Sequence, residues 1–196
     1  PDYKFSTAIL NELDFTHHRV LAVTCHRREN YGEPMRNIMH AILRLVEENP
    51  DVEVVYPVHL SPVVRECAFP ILGSHPRIHL IDPIDVEEMH NLMARCFFVL
   101  TDSGGLQEEA PALGKPVLVM RRETERPEAI AAKLVGVEQE TILREANELL
   151  HSEAAYAKMA KAVNPYGDGH ASERIVQAIL WHFGRTADRP GDFCAQ

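Results

Sequence analysis

Short, nearly continuous apolar runs alternate along this chain with segments of helical periodicity, and that alternation leaves few folds open. The runs lie at Val20–Cys25, Val52–Val58, Arg77–Ile81, Cys96–Thr101 and Val117–Met120, with a weaker one near Lys133–Val137. Segments rich in Val, Ile, Leu and Phe without a polar face suit strands covered on both sides of a parallel sheet. Parallel neighbours need crossovers, and helical patterns at Met35–Glu48, Ser61–Phe69, Val86–Ala94 and Leu106–Leu113 supply them. In the first of these, Ile38, Ile42, Leu45 and Val46 recur at helical spacing, while Arg36, Arg44, Glu47 and Glu48 fall largely elsewhere. The order βαβαβαβα predicts a Rossmann-like, doubly wound α/β layer. Beyond Val137 the pattern turns helical at Glu138–His151, Glu153–Val163 and Ala171–Phe183, and Phe5–Leu13 reads as a short helix ahead of the first strand. We expect residues 1–19 to be a lead-in segment, 20–184 the α/β domain with its C-terminal helices, and 185–196 a tail.

Composition narrows the partners. With 20 Lys+Arg against 29 Asp+Glu the formal net charge is −9, which argues against nucleic acid or an anionic membrane as a partner. No apolar run approaches the ~18 residues of a membrane helix and no leader pattern opens the chain, so a cytoplasmic protein is expected. Cys25, Cys67, Cys96 and Cys194 form no CxxC pair, and the eleven histidines form no ligand-spaced cluster. Neither a disulfide framework nor a metal site is expected.

Ligands of an open parallel sheet sit beyond the carboxyl ends of its strands, so three strand-to-helix loops carry the functional weight. The first, Thr24-Cys25-His26-Arg27-Arg28-Glu29-Asn30-Tyr31-Gly32, has donors for a phosphate or a sugar, although its charges could equally pair among themselves. The second, Thr101-Asp102-Ser103-Gly104-Gly105-Leu106-Gln107-Glu108-Glu109, joins glycines to a helix start, where N–H groups lack intrahelical partners. Its plain reading is a capping turn with Asp102 or Ser103 as N-cap. Glu109, about one turn into that helix, favours a ligand, because a carboxylate beside a phosphate site makes electrostatic sense when it binds hydroxyls, as of a ribose. The third, Arg121-Arg122-Glu123-Thr124-Glu125-Arg126-Pro127-Glu128, offers three arginines to a diphosphate, with Pro127 in the first turn of a helix continued by Glu128–Ala132.

Six runs, taken in order, resemble the non-hydrolysing UDP-N-acetylglucosamine 2-epimerase family: His26-Arg27-Arg28-Glu29-Asn30, Tyr56-Pro57-Val58-His59, Asp102 to Pro111, Gly114 to Val119, Thr124 to Glu128, and Asn164-Pro165-Tyr166-Gly167-Asp168-Gly169. The resemblance extends from about Val20 to Leu180. It implies a glycosyltransferase B fold, two Rossmann-like domains with the nucleotide sugar between them, of which this chain matches the C-terminal one. It also implies interconversion of UDP-GlcNAc and UDP-ManNAc, by elimination of UDP across C1–C2 to 2-acetamidoglucal and re-addition with the opposite C2 configuration. The family's acid–base carboxylates lie in the N-terminal domain. Because the chain starts at Pro1 and has 196 residues, it reads as one half of such an enzyme, inactive alone and a weak binder of UDP.

Position by position, the resemblance implies that Ser103, Gly104 and Gly105 donate to the diphosphate and that Glu109 holds the ribose. Arg126 would contact the phosphates or order their loop, and His26, the catalytic-site candidate here, would lie near diphosphate and sugar. Arg27 and His59 match positions that contact a second, activating UDP-GlcNAc in bacterial members. No cofactor is implied, and the full-length protein is expected to be a homodimer serving cell-envelope polysaccharide synthesis. Two departures stand out: Ile84 and Met89 occupy places where members often carry a Gln and an aromatic residue near the uracil, and the stretch Glu128–Gly136 is about three residues short. A glycosyltransferase of the same fold would share Glu109-Ala110 and Gly114-Lys115-Pro116-Val117, but its usual second Glu falls at Thr101. A hydrolysing epimerase, disfavoured by the His26–Asn30 run, and a non-catalytic UDP-sugar-binding module are the other readings.

Overall fold

A computed structural model describes residues 3–124, 131–162 and 167–192. The chain divides into two compact units, Pro1–Ala162 and Val163–Gln196. In the first, β1 (Arg19–Thr24), β2 (Val52–Pro57), β3 (Ile78–Ile81), β4 (Val99–Thr101), β5 (Val117–Val119) and β6 (Ala132–Leu134) form one parallel sheet in the order β3-β2-β1-β4-β5-β6. Helices α1 (Glu33–Glu48), α2 (Pro62–Leu72), α3 (Val86–Arg95) and α4 (Leu106–Ala112) make the crossovers, and α5 (Gln139–His151) and α6 (Glu153–Ala160) follow β6. The second unit holds α7 (Ala171–His182), flanked by the Arg174–Asp168 ion pair at 2.6 Å.

Strands β1, β2, β4 and β5 alternate between two apolar layers, which is why their runs read as continuous. Leu21, Val23, Val54, Tyr56, Leu100 and Leu118 join one core with α1 and α5, while Val20, Ala22, Val55, Val99, Val117 and Val119 join another with α3 and α4. The sheet order reverses between β1 and β4, so the crevice beyond Thr24 and Thr101 is the topological switch point.

Several boundaries differ from the expectation. Phe5–Leu13 contains a single 3₁₀ turn, Ala8–Asn11, because the Asn11 amide binds both Phe5 N–H (2.9 Å) and Phe5 C=O (2.8 Å), closing the segment as a loop. Cys96 is not in β4, since its N–H closes α3 on Leu92 O at 2.8 Å. Ala132, assigned to a helix continuing from Glu128, lies in β6. Helix α6 ends at Ala160, short of Val163.

Arg77, expected as a strand residue, spends its guanidinium on backbone. Its nitrogens donate to Val46 O (2.7 Å), Asn49 O (2.8 Å) and Val52 O (2.7 Å), satisfying carbonyls at the end of α1 and the start of β2. Charge-assisted bonds to main-chain carbonyls are among the stronger ones, so Arg77→Ala is expected to cost about 2 kcal/mol in urea unfolding. A loss below about 0.5 kcal/mol would mean that water replaces the guanidinium without penalty.

Candidate functional site

At the switch point, the loop after β1 is built on Asp102. This side chain is fully buried. Its Oδ2 accepts from His26 N (2.9 Å), Arg27 N (2.8 Å) and Asn30 Nδ2 (3.0 Å). Asn30 also donates to Met120 O at 3.1 Å, and Thr24 Oγ1 meets Thr101 Oγ1 at 2.6 Å, so the ends of β1, β4 and β5 are tied together. The expectation that Asp102 or Ser103 caps α4 is therefore corrected. The N-cap is Gly105, with no side-chain cap bond, and Asp102 serves the neighbouring loop because two backbone N–H groups and a side-chain amide converge on it.

The start of α4 is arranged around Glu109. Ser103 N–H is spent on Thr101 Oγ1 (2.9 Å), which leaves its hydroxyl as the polar group at the cavity. Gly105 is helical (φ −62°), and a Cβ there would sit 3.1 Å from Glu109 Oε1, so glycine leaves room for that carboxylate. The carboxylate thus folds back over the first turn of its own helix, where His90 Nε2 from α3 lies 3.0 Å from Oε2. Sequence reasoning singled out Glu109 as a candidate and did not reach its partner His90. Gln107, buried on the same helix, donates to Ser103 O (3.1 Å) and accepts from Thr124 Oγ1 (2.7 Å), which links this turn to the loop after β5.

A cavity of about 260 Å³ opens between these loops. Its lining combines apolar Pro57, Pro83, Ile84, Met89 and Leu106 with polar Thr24, His26, His59 and Ser103. Ile84 and Met89, which stood out in the sequence, can pack on a flat apolar group but offer no side-chain hydrogen bond to it. The rings of His26 and His59 are stacked, 5.4 Å between centroids and 9° from parallel. His59 Nδ1 accepts from Ser61 N–H at 3.0 Å, which places its own proton on Nε2. Nδ1 of His26 lies 3.4 Å from Asp102 Oδ1. Behind them Tyr56 donates to Cys25 O (2.6 Å), and burial pushes the Tyr56 hydroxyl and the Cys25 thiol up, aided at Cys25 by the charge of Asp102. Both stay neutral, so Cys25 is no nucleophile.

The arginines divide by role. Arg121 is buried and its Nε donates to Glu29 Oε1 at 2.5 Å, so it braces the loops after β1 and β5 and is not open to a diphosphate as expected. Arg122 is exposed, 3.5 Å from Glu138. Arg27 is held through its backbone N–H while its side chain is exposed. Arg126, with 125–130, lies outside the described residues, as do Asn164-Pro165-Tyr166 of the last motif. Among the described residues no group of three His, Cys, Asp or Glu is placed to hold a metal ion, and no helix is long and apolar enough to cross a membrane.

Comparison with known proteins places the chain in a family. The sequence profile of UDP-N-acetylglucosamine 2-epimerase matches residues 2–180. The UDP-N-acetylglucosamine 2-epimerase of Bacillus subtilis (strain 168) is 53% identical over 178 residues, 89% of this chain and 47% of that protein. The structure of S. aureus MnaA with UDP superposes with a TM-score of 0.92 at 46% identity, over 98% of this chain and 53% of that one. The UDP-GlcNAc 2-epimerase of Neisseria meningitidis bound to UDP-GlcNAc does so with a TM-score of 0.83 at 41% identity, over 90% and 50%. The chain spans about half the length of the curated relatives it matches. A Rossmann-like sheet of the glycosyltransferase B class, a crevice at its switch point and a profile match over nearly the whole chain lead to one assignment: this chain belongs to the UDP-N-acetylglucosamine 2-epimerase family.

Proposed function

We propose that this chain is the UDP-binding half of an enzyme that interconverts UDP-GlcNAc and UDP-ManNAc. The observation that carries the reading is the crevice beyond β1 and β4, where the stacked His26–His59 pair and Ser103 line one cavity and the Glu109 carboxylate folds over the first turn of the adjoining α4. In this reading the Ser103 hydroxyl and the N–H groups of Gly104 and Gly105 hold the diphosphate, Glu109 takes the ribose hydroxyls, and the base packs on Ile84 and Met89 with any hydrogen bonds left to backbone. His26 contacts the diphosphate near the sugar, and Arg126 supports the phosphate loop. Arg27 and His59 meet a second UDP-GlcNAc, which regulates turnover. In the reaction C2 loses its proton and C1 loses UDP, giving 2-acetamidoglucal; UDP then returns to C1 as a proton adds to C2 on the opposite face.

The acid–base groups at C2 would belong to the other half of the full-length protein, a cytoplasmic homodimer of the cell-envelope polysaccharide route. That half closes the cleft, so the chain alone should bind UDP and not turn over. Isothermal titration with UDP at concentrations up to about 1 mM is expected to show binding, and incubation with UDP-GlcNAc in deuterated water no deuterium at C2. Robust deuterium incorporation would overturn the assignment of the acid–base groups to the other half, and absence of UDP binding would overturn the ligand assignment.

A further inference from the structure

Asp102 does more than hold a loop. Three donors converge on Oδ2, whereas buried Oδ1 has none at full hydrogen-bond distance; the Cys25 thiol lies in its neighbourhood, and Nδ1 of His26 faces it at 3.4 Å. A carboxylate oxygen removed from water wants a donor, and a small rotation of the imidazole supplies one. We propose that Asp102 is the positioning residue of His26: it holds the ring as the Nδ1–H tautomer, presents Nε2 to the cavity as a proton acceptor, and thereby makes the binding of a diphosphate take up one proton at His26. The last part rests on the ligand reading above; the tautomer does not.

The surroundings decide which histidine takes the proton. Two parallel imidazoles 5.4 Å apart disfavour a double charge. At His59 the Ser61 N–H already occupies the Nδ1 lone pair, while His26 has a buried carboxylate behind it. Arg27 and Arg28, next in sequence, oppose the charge from solvent. Glu29 is engaged with Arg121 and Glu109 with His90, and Cys25 and Tyr56 behind Asp102 stay neutral. A bound diphosphate adds negative charge on the Nε2 side; a proton from solvent then settles on Nε2 and bridges to a phosphate oxygen, with the imidazolium held between two anions.

The test reads the proton directly. In a chain carrying ¹⁵N-histidine, long-range ¹H–¹⁵N correlation at about pH 8 without ligand is expected to show His26 protonated at Nδ1 and bare at Nε2. In Asp102→Asn the amide oxygen takes the place of Oδ2 under the three donors and the NH₂ group faces Nδ1, so the tautomer should invert to Nε2–H. UDP-GlcNAc is the binding probe, because its diphosphate is a diester with no second ionisation near neutrality. Its affinity for the wild-type chain should rise about tenfold from about pH 8 to about pH 6, and that rise should vanish in Asp102→Asn.

An Nε2–H tautomer in the wild-type chain, or an unchanged tautomer in Asp102→Asn, overturns the positioning role. If Asp102→Asn does not fold, the wild-type tautomer alone decides it. Affinity independent of pH overturns the proton uptake. Failure of UDP-GlcNAc to bind at all overturns the ligand reading and the proton uptake together, and leaves the tautomer assignment standing.

Discussion

An Asp102→Ala chain is expected to be less stable than the wild type by about 3–5 kcal/mol, with Asp102→Asn costing only about 1 kcal/mol. The difference follows from what one oxygen does. Oδ2 receives the N–H groups of His26 and Arg27 and the amide of Asn30, all within 3.0 Å, at a side chain with no exposed surface. Alanine leaves those donors facing a void, and each unmet donor carries its own desolvation penalty. Asparagine keeps an acceptor of nearly the same shape in the same place. Because the loop after β1, the end of β4 and, through Asn30 and Met120 O, the end of β5 share this node, the loss should appear as one cooperative shift of the urea midpoint with an unchanged slope. A cost for alanine below about 1 kcal/mol would show that the donors find water, and the node would then be a surface feature.

The same residue marks where sequence reasoning reached its limit. The strands were legible because a sheet covered on both faces writes itself as unbroken apolar runs, and the helices because one stripe of each is buried. The functional loops were legible because α/β topology confines ligands to one edge of the sheet. An Asp ahead of a Ser-Gly-Gly helix start, however, reads locally as an N-cap, and what recruits it elsewhere is a contact 75 residues away, between Asp102 and Arg27 N–H. No window of helical or strand length contains that information. The pairing of His90 with Glu109, from one crossover helix to the next, and of Glu29 with Arg121, 92 residues apart, escaped for the same reason. A run of charges looks alike whether it is solvated, paired or poised for a ligand. The short N-terminal helix failed differently: its apolar spacing was real, but one asparagine side chain, Asn11, took the backbone groups that a longer helix would have used.

Glu109→Ala should leave stability almost unchanged while weakening UDP binding about 30- to 150-fold. The carboxylate is half-exposed and its partner His90 is too, and an exposed pair of that kind contributes little to folding. Its value lies in position. Gly105 leaves room for Oε1 over the first turn of α4, the side on which a ribose would lie if the diphosphate meets Ser103 at the helix start. Two hydroxyls donating to an ionised acceptor are worth about 2–3 kcal/mol together after the water they displace is counted. Calorimetric titration with UDP and with 2′,3′-dideoxy-UDP closes the thermodynamic cycle. The wild-type chain should lose on removal of the hydroxyls what the alanine variant loses on removal of the carboxylate, and the variant should not distinguish the two ligands. If it still prefers UDP by the wild-type margin, the ribose hydroxyls are read by another group and Glu109 is a partner of His90 alone.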